Sequence, residues 1–599
     1  ISGGYLEPRS IYSSSSYDKI GNFGNESRTI HLGLDFWLSP GTKVNSMFDG
    51  EVVTSINDDG DKEYGGLLIL KHKVEDFEFY TLYGHNKVRS VLKNKIGTKI
   101  KKGDEIAEIA NYPENGNWAP HLHFQIMLST LNYKIDFPGV CYFNQIDVWK
   151  GLCPNPNFLF KSVDLNYTND KSDDELINYR KKHLGKSLKL HYEEPINIVR
   201  GEGVYLISKN GRKYLDTINN VAHVGHENES VVIEGQNQMS ILNTNSRYLH
   251  KSINELAEEI IQTLPEKLNV IHFVNSGSEA NELAVRMMKS HTGSNDIIVS
   301  ENGYHGNTNI CVDISSYKFD GKGGKGAPEN THVIPMPTKF NGKHKGEEAC
   351  EGYINEIKNS IKNLKSKNRD LGGFIIEPII SCGGQVELPD GFLKTAYDLI
   401  RENGGICISD EVQVGCGRLG ESFWGFELHD VIPDIITIGK PLGNGHPIGA
   451  VVCTSEIAES FANGMEFFNT FGGNPVSCSI ATQVLKVVKN ENLQKNAKTI
   501  GNYFKNELKN LSDKYDIIGD VRGQGLFLGI EFVDHKMNPL FRETKYIVNR
   551  LKDFGILASL DGPNNNVIKI KPPLIFNKDN CDTFIFYLHK ILEEDFLNK

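Results

Sequence analysis

The chain has 599 residues, 39% of them hydrophobic and 24% charged, an ordinary globular balance, and is too long for one domain; length alone predicts about three or four. A net charge of −11 argues against a general nucleic-acid or anionic-membrane surface, and no apolar run approaches the roughly 18 residues of a membrane span. Ten cysteines without a CxxC pair, two of them (Cys407, Cys453) in apolar runs, point to reduced thiols and a cytoplasmic setting rather than a disulfide framework.

At its start the chain reads Ile-Ser-Gly-Gly, with neither an initiator Met nor a signal pattern, and is expected to be a piece of a longer protein. Through residues 1–150 short apolar runs (50–56, 66–72, 77–83, 121–127) alternate with turns such as Asp58-Asp-Gly60 and Lys102-Gly-Asp104, which predicts an antiparallel sheet. His31 and Asp35 lie four residues apart, and Tyr83-Gly-His85 ends a strand. His121-Leu-His123-Phe puts two imidazoles two apart, hence on one face of a strand. Two histidines and an aspartate with an open fourth position make a plausible catalytic zinc site. The other histidines are then available to move protons. Taken singly, each of these residues is as well explained as surface polarity.

Together, in order, His31-x-x-x-Asp35, Pro40-Gly-Thr, Asp49-Gly50, Tyr83-Gly-His85 and His121-x-His123 resemble the lysostaphin/LytM-type zinc endopeptidases, over roughly residues 20–128. The resemblance implies that His31, Asp35 and His123 bind one zinc ion, with His85 and His121 as the catalytic pair. Such enzymes normally act outside the cytoplasm, which sets the implied peptidoglycan substrate against the cysteine argument.

Residues 151–185 are polar and poor in core formers and read as a linker. From 186 to 599 the pattern changes. Helical stretches at 252–264, 279–290, 353–364 and 392–402 alternate with apolar runs at 269–274, 296–299, 373–376, 405–408 and 435–438. That alternation predicts a mostly parallel sheet covered on both faces, with ligands at the strand ends. Ser276-Gly277-Ser278 opens a helix and suits either a serine cap or a phosphate cradle. Tyr304 sits in a Gly-rich turn, to stack on a planar ring or to pack. Asp410 ends one run, and Lys440 follows another in a turn dense in Gly and Pro, where desolvation favours a nucleophilic amine. Cradle, aromatic, acid and lysine are the parts a pyridoxal phosphate site requires.

This region resembles the class III (fold type I) aminotransferase family, and within it the ethanolamine-phosphate and phosphohydroxylysine phospho-lyases. The carrying stretches are Asn275-Ser-Gly-Ser-Glu-Ala-Asn281, Gly439-Lys-Pro-Leu-Gly-Asn-Gly-His-Pro447 and Phe468-Asn-Thr-Phe-Gly-Gly-Asn-Pro475. The resemblance implies pyridoxal 5'-phosphate, with Gly277 and Ser278 on its phosphate, Tyr304 and Val412 on the two ring faces, and Asp410 on the ring nitrogen. Gln413 would reach the ring hydroxyl, Lys440 would form the Schiff base, and Thr470 would reach the neighbouring subunit of a homodimer. The whole chain is then an antiparallel β metallopeptidase-like domain (1–150), the linker, and an α/β enzyme domain (186–599) with a smaller α+β subdomain at about 500–599.

Two positions depart from the transaminase pattern. Lys569 stands where many members hold a substrate carboxylate with arginine, and Cys382 where its glutamate partner belongs. Lysine lacks the bidentate fork and cysteine the charge. The expected reaction is therefore phosphate elimination from an O-phosphorylated amino alcohol, with Lys440 as base and Lys569, Arg418 or His446 on the leaving phosphate. For Arg418 the ordinary alternative is a surface salt bridge. An ω-aminotransferase, or a peptidase or binding activity of the first domain, are the alternatives.

Overall fold

A computed structural model describes residues 2–12, 17–21, 24–131, 133, 137–162 and 172–597. They form two compact units, residues 1–199 with 207–213, and residues 200–206 with 214–599. Within residues 151–185, read as a linker, residues 163–171 lie outside the described residues. After them, Asp173–His183 is a helix closed by a capping box between Ser172 and Glu175.

The first unit is built on an antiparallel sheet. Its order is Ser2–Gly3, Leu34–Trp37, His121–Met127, Phe77–Asn86, Gly65–Val74, Gly50–Asp58, Lys99–Ile100. Alternate residues of the central strands feed two cores. Leu68, Leu70, Tyr83 and Phe124 pack on one face, and Leu67, Ile69, Leu82 and Met127 on the other. The period-2 pleat thus buries both faces, and a one-residue slip would exchange the two sets. The pairing is consequently strongly specified, and the register sets the first site.

The second unit holds the larger sheet, ordered Val270–Val274, Gly449–Cys453, Ile435–Ile438, Ile406–Asp410, Leu371–Ile376, Asp296–Ser300, Thr331–Ile334. The last five run parallel, while Gly449–Cys453 runs against both of its neighbours. Ile297, Val299, Ile375 and Ile408 pack under the Gly277–Thr292 helix. Ile298, Phe374, Ile376 and Cys407 meet helices Ala349–Ser366 and Phe392–Glu402 on the other side. Burial on both faces explains why these strands are continuously apolar, each large side chain contributing about 1.5–3 kcal/mol. A second, antiparallel sheet joins Ile518–Gln524, Phe527–Phe532, Val567–Ile570 and Ser559–Asp561. Helices Leu493–Ser512 and Lys578–Leu592 accompany it.

Candidate functional site

In the first unit the sheet register brings the histidine motifs together. His123 lies opposite Asp35 on one neighbouring strand and Gly84 on the other. His123 Nδ1 is 3.0 Å from Asp35 Oδ1 and 2.9 Å from His31 Nε2, and His31 Nε2 is 3.3 Å from that same oxygen. All three residues are buried. The opposite ring nitrogens are engaged: His31 Nδ1 with the Gly4 carbonyl and His123 Nε2 with Gln125 Oε1, each at 3.1 Å. Those acceptors require protons on the nitrogens facing them, so the lone pairs of His31 Nε2 and His123 Nδ1 point at the carboxylate. Burial, with Arg9 adding to it against Asp35, lowers His31 to about 4 and keeps its ring neutral. Three electron-rich atoms converge with no proton among them, an arrangement a divalent cation resolves. Two imidazole nitrogens and one carboxylate oxygen fit tetrahedral zinc with one position open.

His85 and His121 stand beside this centre, ring centroids 4.2 Å apart. His85 Nδ1 is 2.9 Å from the Asn115 carbonyl, His121 Nδ1 2.6 Å from that of Ala119, so both rings keep Nε2 bare. Burial lowers both below the ordinary histidine value, leaving neutral imidazoles able to take and return a proton. His85 has a left-handed backbone (φ +66°) where the pairing with Gly65–Val74 shifts register; the bulge re-aims the side chain. A cavity of about 110 Å³ beside His85 and His123 is lined by Tyr17, Tyr64 and Trp118 among others. Sequence reasoning missed Arg9, whose Nη1 holds Asp35 Oδ2 at 2.5 Å and leaves Oδ1 for the centre. No motif contains Arg9, so no local signal marked it.

In the second unit the strand ends carry a pocket. Lys440 opens the 3₁₀ turn Lys440–Gly443 one residue after the Ile435–Ile438 strand. Burial lowers its amine below the ordinary lysine value, opposed by the nearby carboxylates of Asp410 and Glu377. Asp410 Oδ2 accepts from Asn281 Nδ2 at 2.8 Å and His305 Nδ1 at 2.7 Å, and Oδ1 from the Val412 N–H at 3.1 Å. Ser276 is the helix cap, its Oγ accepting the Glu279 N–H at 3.2 Å. Ser278 Oγ accepts the Asn307 N–H at 3.2 Å and keeps its own proton to donate, so that proton and the first-turn amides that no helical carbonyl reaches remain for an anion.

Glycine is required here by close approach. A Cβ on Gly277 would lie 2.7 Å from a Val412 methyl, and one on Gly306 2.6 Å from Ser278 Oγ. Helix start, turn and strand end therefore close tightly on one another as a cradle. With a desolvated amine and a firmly held carboxylate, these parts fit pyridoxal phosphate. Tyr304 is half-buried at the same turn, and Val412 and Gln413 are buried. Gln413 Oε1 accepts from Asn220 at 2.8 Å and from Lys571 Nζ at 3.3 Å. Thr470 alone stands apart, exposed between Phe468 and Phe471.

Around the lysine, Glu377 is buried with Oε1 accepting the Ser381 hydroxyl at 2.5 Å; burial and Asp410 push it up to about 7. Burial likewise pushes the Cys382 thiol up to about 12, so it carries no charge at neutral pH. Lys569 Nζ lies 3.6 Å from Asp561. His446 Nε2 is 2.9 Å from Ser477 Oγ. Arg418 overturns the surface reading. It is fully buried, and its Nη1 donates to the carbonyls of Leu526 and Pro572. The guanidinium ties backbone segments together, its donors met by carbonyls that only the folded chain brings to it.

Residues 189–592 match the family Aminotransferase class-III, and residues 29–134 match Peptidase family M23. An alanine–glyoxylate aminotransferase 2-like protein of Drosophila melanogaster is 43% identical, covering 73% of this chain and 90% of that protein. Ethanolamine-phosphate phospho-lyase homolog 1 of Caenorhabditis elegans is 37% identical over 70% and 94%. Among solved structures, a phospholyase from Arthrobacter in complex with phosphoethanolamine aligns with a TM-score of 0.67 and 35% identity, covering 70% of this chain and 99% of that one.

Proposed function

This chain belongs to the class III aminotransferase family, and from that premise we propose that it eliminates phosphate from an O-phosphorylated amino alcohol of the phosphoethanolamine type. The observation that carries this reading is the loss of both halves of the carboxylate grip. Cys382 holds a protonated thiol where a swinging glutamate is needed, and Lys569 is paired with Asp561 instead of standing as a free arginine fork. The likeness to the Arthrobacter phospholyase supports it. The Drosophila relative keeps amino transfer to a keto acid as the competing reaction.

Pyridoxal phosphate, when bound, supplies an electron sink for the carbon next to the substrate amine. Gly277 and Ser278 would hold its phosphate, Tyr304 and Val412 would bracket the ring, Gln413 would reach the ring hydroxyl, and Asp410 would keep the ring nitrogen protonated. His305 and Asn281 orient that carboxylate. Lys440 Nζ, whose hold on its own proton burial weakens, takes the proton from the carbon bearing the amine. The electron pair of that C–H bond forms a carbon–carbon double bond as the C–O bond to phosphate breaks. Water then releases an aldehyde and ammonia. Thr470 completes the site of a second copy in a homodimer, a role its exposure supports. The ten free thiols support a reducing, cytoplasmic setting.

Replacing Lys440 by alanine is expected to slow phosphate release from phosphoethanolamine by about 10²–10⁴-fold, the usual contribution of a positioned base. Release at the original rate would end the elimination mechanism. Amino transfer to a keto acid exceeding phosphate release in the unaltered protein would favour the transaminase.

A second reading belongs to the first unit. The converging lone pairs of His31, His123 and Asp35 favour a zinc hydrolase centre, with His85 and His121 moving the proton.

A further inference from the structure

One amine beside Gln413 was given no role by the sequence. Lys571 directly follows the Val567–Ile570 strand and is only 7% exposed. Its backbone N–H donates to the Thr217 carbonyl at 2.7 Å, which pins the residue in place. Its Nζ donates to Gln413 Oε1 at 3.3 Å, and that oxygen also serves Asn220. Among the described residues no carboxylate pairs with it. Asp561 is already shared by Lys569 at 3.6 Å and the Gln385 amide at 3.2 Å.

An ammonium has three donors, and here one amide oxygen answers one of them. Burial, with Lys569 and Lys440 close enough to add to it, lowers the amine to about 7. Lys569 and Cys382 lie near enough to act on the charge of both Lys571 and Lys440, and the bond to Gln413 places Lys571 beside the proposed cofactor site. Such a group is poorly served by the protein alone and well served by a dianion entering beside it. The other cations are engaged: Arg418 by backbone carbonyls, Lys569 by Asp561, His446 by Ser477.

We infer that Lys571 grips the phosphate group of the substrate, and so selects a phosphomonoester amine over a carboxylate one. The inference rests on the phospho-lyase reading. When the C–O bond breaks, its electron pair goes to the departing phosphate oxygen, and the two uncommitted N–H donors of Lys571 meet the added charge. Lys569 adds to the positive potential at Lys571, in part offset by Asp561. Gln413, which holds the resting amine, gives that orientation without neutralising it.

The test uses the full chain loaded with pyridoxal phosphate. For Lys571→Met, KM for phosphoethanolamine is expected to rise about 10- to 100-fold, the scale of a lost charged hydrogen bond, and inhibition by inorganic phosphate to weaken by a similar factor. Lys571→Gln is expected to behave alike. Lys571→Arg is expected to recover part of the phosphate inhibition. The cofactor spectrum and its response to unphosphorylated ethanolamine are expected to match the unaltered protein, which separates gripping from support. Unchanged KM and unchanged phosphate inhibition in Lys571→Met and Lys571→Gln would overturn the inference while leaving the lyase reading intact. An unaltered protein that releases no phosphate from any amino-alcohol phosphate would overturn the reading itself.

Discussion

At His123 the two ring nitrogens have separate functions, and the division comes from Gln125. The Gln125 amide donates towards the Pro138 carbonyl at 3.3 Å, which turns its oxygen to His123 Nε2 and leaves Nδ1 as a lone-pair donor. Zinc affinity is expected to fall about 10- to 100-fold in Gln125→Ala, the range for outer groups that orient a ligand. Competition with a chelator measures it, and an unchanged affinity would remove the tautomer argument. His31, Asp35 and His123 were singled out as a ligand set by the resemblance that the ordered motifs carry; periodicity and spacing relate only the residues within each motif. Gln125 was not, because glutamine two residues past a histidine is unremarkable until the fold buries it. Lys571 was hidden for the same reason: Lys569 and Lys571 are alike in sequence, and only the partners decide between them. Asp561 takes the one and leaves the other to an amide.

Among the elements, the Gly277–Thr292 helix shows how local chemistry and packing divide the work. Its serine cap and apolar stripe are written in the residues, while the closeness of Gly277 to Val412 depends on a strand end far along the chain. Gly277→Ala is expected to overpack this contact at a cost of about 1–3 kcal/mol, weakening cofactor retention roughly 10- to 100-fold. Retention through gel filtration, followed by absorbance, checks it; full retention would mean the cradle yields without loss. Helix Phe392–Glu402 and strand Ile435–Ile438 took the bounds expected from their patterns. The irregularity at His85 did not show in the residues, because a bulge is a property of two strands and its left-handed residue here is not glycine.

On the scale of the molecule, the second unit leaves an apolar surface uncovered. Leu249 and Phe471 are exposed, with Tyr248, Met465 and Phe468 alongside, and Arg247 stacks on Phe468 at 3.9 Å to join the two loops. Single exposed apolar side chains are ordinary, but a patch of this kind around Thr470 suits a second copy. Phe471→Glu is expected to shift sedimentation from dimer to monomer and, by withdrawing Thr470, to loosen the cofactor. A variant that stays dimeric would place the interface elsewhere.

What the residues determined by themselves are the motifs of the two families and their order along the chain. Each motif is short, and the 2.0 and 3.6 periodicities set which of its side chains share a face. The α/β alternation follows from the same rule, since strands buried on both faces must be apolar throughout. What only the tertiary structure decided is the company each group keeps. Arg9 reaches Asp35, His305 reaches Asp410 and Lys571 reaches Gln413 across long stretches of chain, by strand order and register. Charge and proton affinity in a buried site depend on those distant partners, so they are settled where the elements meet and not within any one of them.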